Sequence, residues 1–110
     1  MANHDKDNKF TFSIIMSIYN VEKYLKESVD SVISQSLDFE KHVQLIIVND
    51  GSTDGSLDIA LEYQNKFPDN IVVVSQENQG LGSARNHGLE YVEGTYVNFL
   101  DSDDYISEDT

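Results

Sequence analysis

V-Q-L-I-I-V-N-D-G-S-T-D-G, residues 43–55, changes character once, at Asn49. The run Val43–Val48 is apolar and β-branched, as in a strand covered on both faces. Asn49 to Gly55 then supplies turn and cap residue types before helical spacing resumes at Leu57, Ala60, Leu61 and Phe67, with Pro68 to stop it. A buried strand feeding directly into a helix is the unit from which parallel sheets are built.

The same alternation extends in both directions. Upstream, Phe10–Tyr19 (F-T-F-S-I-I-M-S-I-Y) reads as a strand buried on both faces, ending at Asn20. From Val21 the apolar residues fall at 21, 24, 25, 29, 32, 33 and 37, with Glu22, Lys23, Lys26, Glu27 and Asp30 facing outward. Downstream, Ile71–Ser75 reads as a third strand, Gly80 to about Val92 as a third helix and Thr95–Leu100 as a fourth strand. Residues 1–9 are polar and aperiodic, and read as a disordered tail. The pattern predicts one α/β domain over 10–110: right-handed crossovers, a mostly parallel sheet and helices on both faces.

Such sheets bind ligands beyond the carboxyl ends of their strands. Every unusual polar cluster here follows a strand: Tyr19-Asn20, Asn49 to Ser52, Gln76 to Gly82, and Asp101 to Asp104. They are expected to share one edge.

Composition narrows the partners. Asp+Glu 20 against Lys+Arg 7 gives a net charge of -13, which disfavours nucleic acid and anionic lipid. No apolar run approaches the roughly 18 to 20 residues of a membrane span, and the polar start is not of signal-peptide type, so a cytoplasmic setting is expected. The absence of cysteine excludes disulfides and thiolate metal sites. A phosphate-bearing ligand would have to be held by backbone N–H groups, by the few Arg and Lys, or through a divalent metal.

The D-S-D-D of residues 101–104 fits that need, because Mg²⁺ and Mn²⁺ take oxygen ligands from one or two carboxylates plus substrate phosphates. The competing reading is a surface turn whose aspartates cap the backbone. In the 49–55 loop, Asp50 can accept a hydrogen bond from a ring N–H, Gly51 lets a ligand approach the backbone, and Ser52 or Asp54 can cap the next helix; a plain strand-to-helix turn explains the spacing equally well. Gly80-x-Gly82 resembles a dinucleotide fingerprint but has Arg85 in place of its third glycine and follows the third strand. Arg85 either faces phosphate or nucleotide, or pairs with a carboxylate such as Asp50 or Asp101. His4, His42 and His87 lack metal-ligand spacing and read as ordinary surface or helix residues.

Taken together, S-I-I-M-S-I-Y-N-V-E-K-Y-L, S-V-I-S-Q-S, L-I-I-V-N-D-G-S-T-D, G-L-G-S-A-R-N-H-G-L and G-T-Y-V-N-F-L-D-S-D-D resemble the amino-terminal part of the family 2 glycosyltransferases, which have the GT-A fold. The resemblance covers about residues 12 to 108 and carries the motifs in the family's order. It implies the Rossmann-like nucleotide-binding half of a GT-A domain and inverting transfer of a sugar from a nucleotide diphosphate sugar, commonly a UDP-sugar, to a glycan or glycoconjugate acceptor such as a cell-surface polysaccharide, with Mn²⁺ or Mg²⁺. By the resemblance, Ser17, Tyr19, Asp50, Gly51, Arg85, Asp101 and Ser102 serve nucleotide binding. Tyr19 lies beside the base, Asp50 accepts from its ring N–H, Arg85 sits near the nucleotide or holds Asp50, and Asp101 lies on the ribose side. Asp103 and Asp104 serve the metal.

The family's domain continues well past this D-x-D. The expectation is therefore a donor-binding half whose catalytic base lies beyond Thr110, inactive in transfer alone, capable of self-association through its sheet edge, and working at the inner face of the membrane in a longer protein. The alternative class is a non-catalytic α/β interaction or regulatory module with a structural cation site.

Overall fold

The computed structural model describes residues 10–35 and 39–101. The elements are β1 (Phe10–Ile18), α1 (Glu22–Gln35), α2 (Phe39–His42), β2 (Val43–Asp50), α3 (Ser56–Lys66), β3 (Ile71–Gln76), α4 (Leu81–Leu89) and β4 (Gly94–Asp101). All strand pairs are parallel, in the order β3-β2-β1-β4. The α/β alternation expected from the sequence is thus the architecture observed.

Two crossovers advance from β1 to β3 and the third returns past β2 and β1 to β4. With right-handed connections, that reversal puts α1 and α3 on one face and α4 on the other. The packing agrees with this division. Ile14, Met16 and Ile18 of β1 join Leu45 and Ile47 of β2 against Leu25, Val29 and Val32 of α1 and Ala60 and Tyr63 of α3. The alternate residues Ile15, Ile46 and Val48 point the other way and meet Ala84 of α4. This period-two split buries β2 at every position and explains why its run from Val43 to Val48 is apolar apart from Gln44. Each fully buried Ile or Leu contributes about 1.5–3 kcal/mol.

The α4 face has a thinner apolar layer and a buried polar one beneath it. Ser13 (0% exposed) donates to Gln44 Oε1 at 2.7 Å, and Gln44 (2% exposed) donates to the Tyr91 carbonyl at 2.9 Å. The Glu93 N–H donates to Gln44 Oε1 and the Gly94 N–H to Ser13 Oγ, at 2.9 and 2.8 Å. These bonds pin the start of β4 onto β1 and β2. A Cβ on Gly88 would lie 2.6 Å from Ile15 Cγ2, so only glycine lets α4 approach the sheet this closely.

Several boundaries and exposures differ from expectation. Phe12 at 40% and Tyr24 at 48% are exposed, so β1 is uncovered at Phe12, although Phe10 before it is buried, and the α1 stripe is not covered throughout. In α3 the buried side chains are Ser56, Ala60 and Tyr63, while Leu61 is exposed. Tyr63 takes the inward place because its hydroxyl reaches Asp30 of α1 at 2.6 Å. The third helix ends at Leu89, since Tyr91 and Val92 make only tight i–3 turns. The four-residue α2, too short to carry a period, was not expected; Phe39 stacks edge-on against Phe67 at 5.4 Å. The tail at 1–9 lies outside the described residues.

Candidate functional site

The chain order reverses between β1 and β4, and sheets of this kind bind ligands beyond the carboxyl ends of the strands at such a reversal, which makes this edge the candidate site. The register sets the polar clusters along this edge: Ser17 pairs with Asp101, Ile18 with Asn49, Asn49 with Ser75 and Asp50 with Gln76. Three of the four clusters expected at one edge are brought there, together with Asp101, the described residue of the fourth. Ser17 is half-buried and Tyr19, at 48%, is exposed at the mouth.

The β1–α1 turn is built by its neighbour. Asn20 adopts φ 52°, a left-handed conformation that Asn tolerates better than most residues. Its N–H donates to Ser52 Oγ at 3.0 Å, and its Oδ1 accepts from the Thr53 N–H at 2.7 Å. The first N–H groups of α1 find side-chain acceptors across the gap: Val21 on Ser56 Oγ at 2.9 Å and Glu22 on Asp54 Oδ2 at 3.2 Å. Glu22 answers by accepting from the Gly55 N–H at 3.0 Å. Asp54 also accepts from the Ser56 N–H at 2.9 Å, at the start of the following helix as anticipated, while its bond to Glu22 in the preceding helix was not; Ser52 is engaged by Asn20. The hydroxyl of Ser56 above all, and then the N–H groups of Ser56 and Glu22, hold the Asp54 carboxyl below its usual range. The two loops form one reciprocally capped unit.

Asp50 lies on the α4 side of the sheet, only 4% exposed. Its Oδ1 accepts from Gln76 Nε2 and from the Gln79 N–H, both at 2.8 Å, and its Oδ2 from the Gly80 N–H at 3.0 Å. Burial pushes the carboxyl up, but hydrogen bonds from Gln76, Gln79 and Gly80 outweigh it, and the value falls below 3.8. Asp50 is an anion anchored at the entrance of α4, with its N-cap Gly80 as a donor. Gly51 has φ 79°, and a Cβ there would lie 2.8 Å from the Asn78 backbone nitrogen, so glycine lets the two loops touch.

Arg85, on α4, has its guanidinium carbon 5.1 Å from the centre of the Phe99 ring on β4, within cation–π range. The basic group therefore stands where α4 faces the carboxyl half of β4, beside the crevice. Asp101 closes β4. Ser102, Asp103 and Asp104 lie outside the described residues, and the metal assignment falls on them. Among the described residues no three His, Cys, Asp or Glu side chains gather as a metal would need.

A family model described as "Glycosyl transferase family 2" matches residues 13–110. The chain belongs to glycosyltransferase family 2. It is 51% identical over 107 residues to the minor teichoic acid biosynthesis protein GgaB of Bacillus subtilis, covering 97% of this chain and 12% of that protein. It is 38% identical over 99 residues to the poly(ribitol-phosphate) beta-glucosyltransferase of Bacillus spizizenii, covering 88% of this chain and 15% of the relative. Residues 1–349 of TarS from S. aureus, solved in complex with UDP-GlcNAc, superpose with a TM-score of 0.80 at 38% identity, over 91% of this chain and 28% of that one. The chain thus spans well under half the length of these relatives. Its fold is that of the amino-terminal part of GT-A glycosyltransferases, as the sequence resemblance implied.

Within this family 2 chain, sequence reasoning singled out Tyr19, Asp50, Gly51 and Arg85 as candidates but missed the residues that hold Asp50. Gln76 and the amides of Gln79 and Gly80 are 26 to 30 positions away in sequence. The available signal was Gln76, a polar residue closing an apolar strand. His87, expected to be an ordinary helix residue, has its Nδ1 2.9 Å from Gln76 Oε1. None of the described helices is long and apolar enough to cross a membrane.

Proposed function

We propose that residues 10–110 form the donor-binding part of an inverting glycosyltransferase that takes a sugar from a UDP-sugar. The observation that carries this reading is Asp50: an ionised, nearly buried carboxylate at the carboxyl edge of the sheet, with its position set by hydrogen bonds from Gln76, Gln79 and Gly80. Such a group suits the imide N–H of uracil, and the exposed Tyr19 ring at the same edge suits contact with the base. Ser17 and Gly51 line the approach, Arg85 faces the nucleotide, and Asp101 and Ser102 take the ribose side.

Asp103 and Asp104 would hold Mn²⁺ or Mg²⁺, for which hard carboxylate oxygens are the appropriate donors. When bound, the metal supplies Lewis-acid stabilisation of the departing diphosphate. The chain's own residues bind and orient: Asp50 fixes the base, and Arg85 adds positive charge in a chain of net charge -13. We assign the general base to no residue within 1–110, so donor binding is the activity to measure. The names of GgaB and of the Bacillus spizizenii enzyme support a cell-surface glycan or teichoic-acid-like acceptor.

Calorimetric titration of the chain with UDP, in Mn²⁺ and again in EDTA, tests the reading, with NAD as control. Heat from UDP that requires Mn²⁺, and none from NAD, is the expected result. Equal binding with and without metal removes the metal role. Binding of a cation with no nucleotide preference overturns the donor site.

A further inference from the structure

We propose that Gln76 and His87 are positioning residues that set base selectivity by holding the Asp50 carboxylate in one orientation. The inference rests on the donor-site reading above and adds to it the residues that decide between uracil and cytosine.

The direction of the relay follows from elementary chemistry. An ionised carboxylate only accepts hydrogen bonds. Gln76 must therefore turn its NH₂ end to Asp50 Oδ1, at 2.8 Å, which leaves its carbonyl end facing His87 Nδ1 at 2.9 Å. Because that carbonyl accepts, Nδ1 must carry a proton, and the hydrogen bond selects one tautomer of His87. The imidazole also packs against the Tyr91 ring, 5.9 Å away between centres and tilted by 49°. A continuous line thus runs from the end of α4 to the carboxylate: Tyr91, His87, Gln76, Asp50.

Apolar packing does not impose this arrangement. Gln76 and His87 border a solvent-open polar cleft of about 360 Å³, together with Gln79, Ser83, Asn86 and Glu90. Open to this cleft, the Gln76 side chain is oriented among the described residues by two hydrogen bonds, one to Asp50 and one to His87. Oδ1 of Asp50 is occupied by Gln76 and Gln79, while Oδ2 accepts from Gly80 alone among the described residues and retains acceptor capacity.

That asymmetry creates selectivity. Uracil offers an N–H at its N3 position, and a fixed carboxylate oxygen accepts from it. Cytosine offers a lone pair at the same position, which the oxygen repels. A site built around a required substrate N–H rejects the analogue lacking it far more strongly than an apolar pocket could. Loosening Asp50 therefore lowers the preference for UDP over CDP, whereas general destabilisation weakens both alike.

The test compares UDP and CDP affinities in Mn²⁺ buffer for the wild-type chain, Gln76→Met, His87→Ala and His87→Asn. Gln76→Met is expected to reduce the UDP:CDP affinity ratio about tenfold, and His87→Ala about threefold. His87→Asn is expected to restore the ratio, since its side-chain amide can donate where Nδ1 did. Equal weakening of both nucleotides, or a ratio unchanged in Gln76→Met and His87→Ala, overturns the inference. A wild-type chain with no preference for UDP overturns the donor-site reading as well, so the two failures are distinguishable. Nitrogen-15 spectra of the wild-type imidazoles, recorded well above the ordinary histidine range, give a second check independent of any variant's folding. His87 protonated at Nδ1 is expected; protonation at Nε2 alone refutes the relay.

Discussion

The two faces of the sheet are built from the same strands and for different ends. On the α1–α3 face, Ile14, Met16, Ile18, Leu45 and Ile47 meet a continuous apolar layer from two helices. On the α4 face the buried apolar cluster shrinks to Ile15, Ile46, Val48 and Ala84, and polar pairs flank it: Ser13 with Gln44 at one end of the strands, Asp50 with Gln76 at the other. One face supplies cohesion, and the other places specific atoms. The division has a physical basis, since apolar burial is non-directional while a buried hydrogen bond fixes position and is costly to leave unmade.

The comparison is sharpened most by a truncation on the cohesive face. Leu45 is fully buried beneath α1 and α3, and Leu45→Ala should cost about 2–5 kcal/mol, read as a fall in the urea midpoint. UDP affinity, measured where the variant is still folded, should change little. A large loss of affinity without loss of stability would break the division of labour.

On the polar face, Gln44→Leu keeps an apolar filling but strips partners from Ser13 Oγ, the Tyr91 carbonyl and the Glu93 N–H. A loss of about 1–3 kcal/mol is expected for a buried group left unsatisfied. Because this network pins Gly94 next to Ser13, UDP binding should fall with stability, as the far end of β4 carries Asp101 opposite Ser17. Unaltered stability would mean that water replaces the lost bonds.

The smallest expected effect is in the acid limb of stability. The folded protein holds Asp50 below its ordinary value of 3.8, so its contribution is fully present above that value and is lost as the pH falls through the lower folded one. Asp54, also lowered, acts in the same direction. Urea midpoints of wild type and Asp50→Asn should differ most at neutral pH and converge on acidification. A difference independent of pH would show that the carboxylate's charge is not what its donors stabilise.

Much of this was legible before any coordinates. The change at Asn49, the apolar period of α1 and the recurrence of polar clusters after strands placed the elements and assigned Tyr19, Asp50, Gln76 and Asp101 to one edge. The exceptions share a cause. Tyr63 displaces Leu61 from the interior because Asp30 of another helix accepts its hydroxyl, and Gln44, which reads as an interruption in an apolar strand, is a hub for a loop some 50 residues on. Periodicity reports which face a residue occupies; it carries no information about partners on that face.

From the sequence alone came the parallel α/β alternation and the shared carboxyl edge, because each depends on local residue types and spacing; the interest in Asp50 came from the resemblance to family 2 glycosyltransferases. Only the tertiary structure decided that Asp50 is held by Gln76 and by the amides of Gln79 and Gly80, that His87 stands behind Gln76, and that α1 is capped by Asp54 and Ser56. These are matters of register between parallel strands joined by helical crossovers. The backbone brings such residues within 3 Å or so of one another across separations that no sequence period spans.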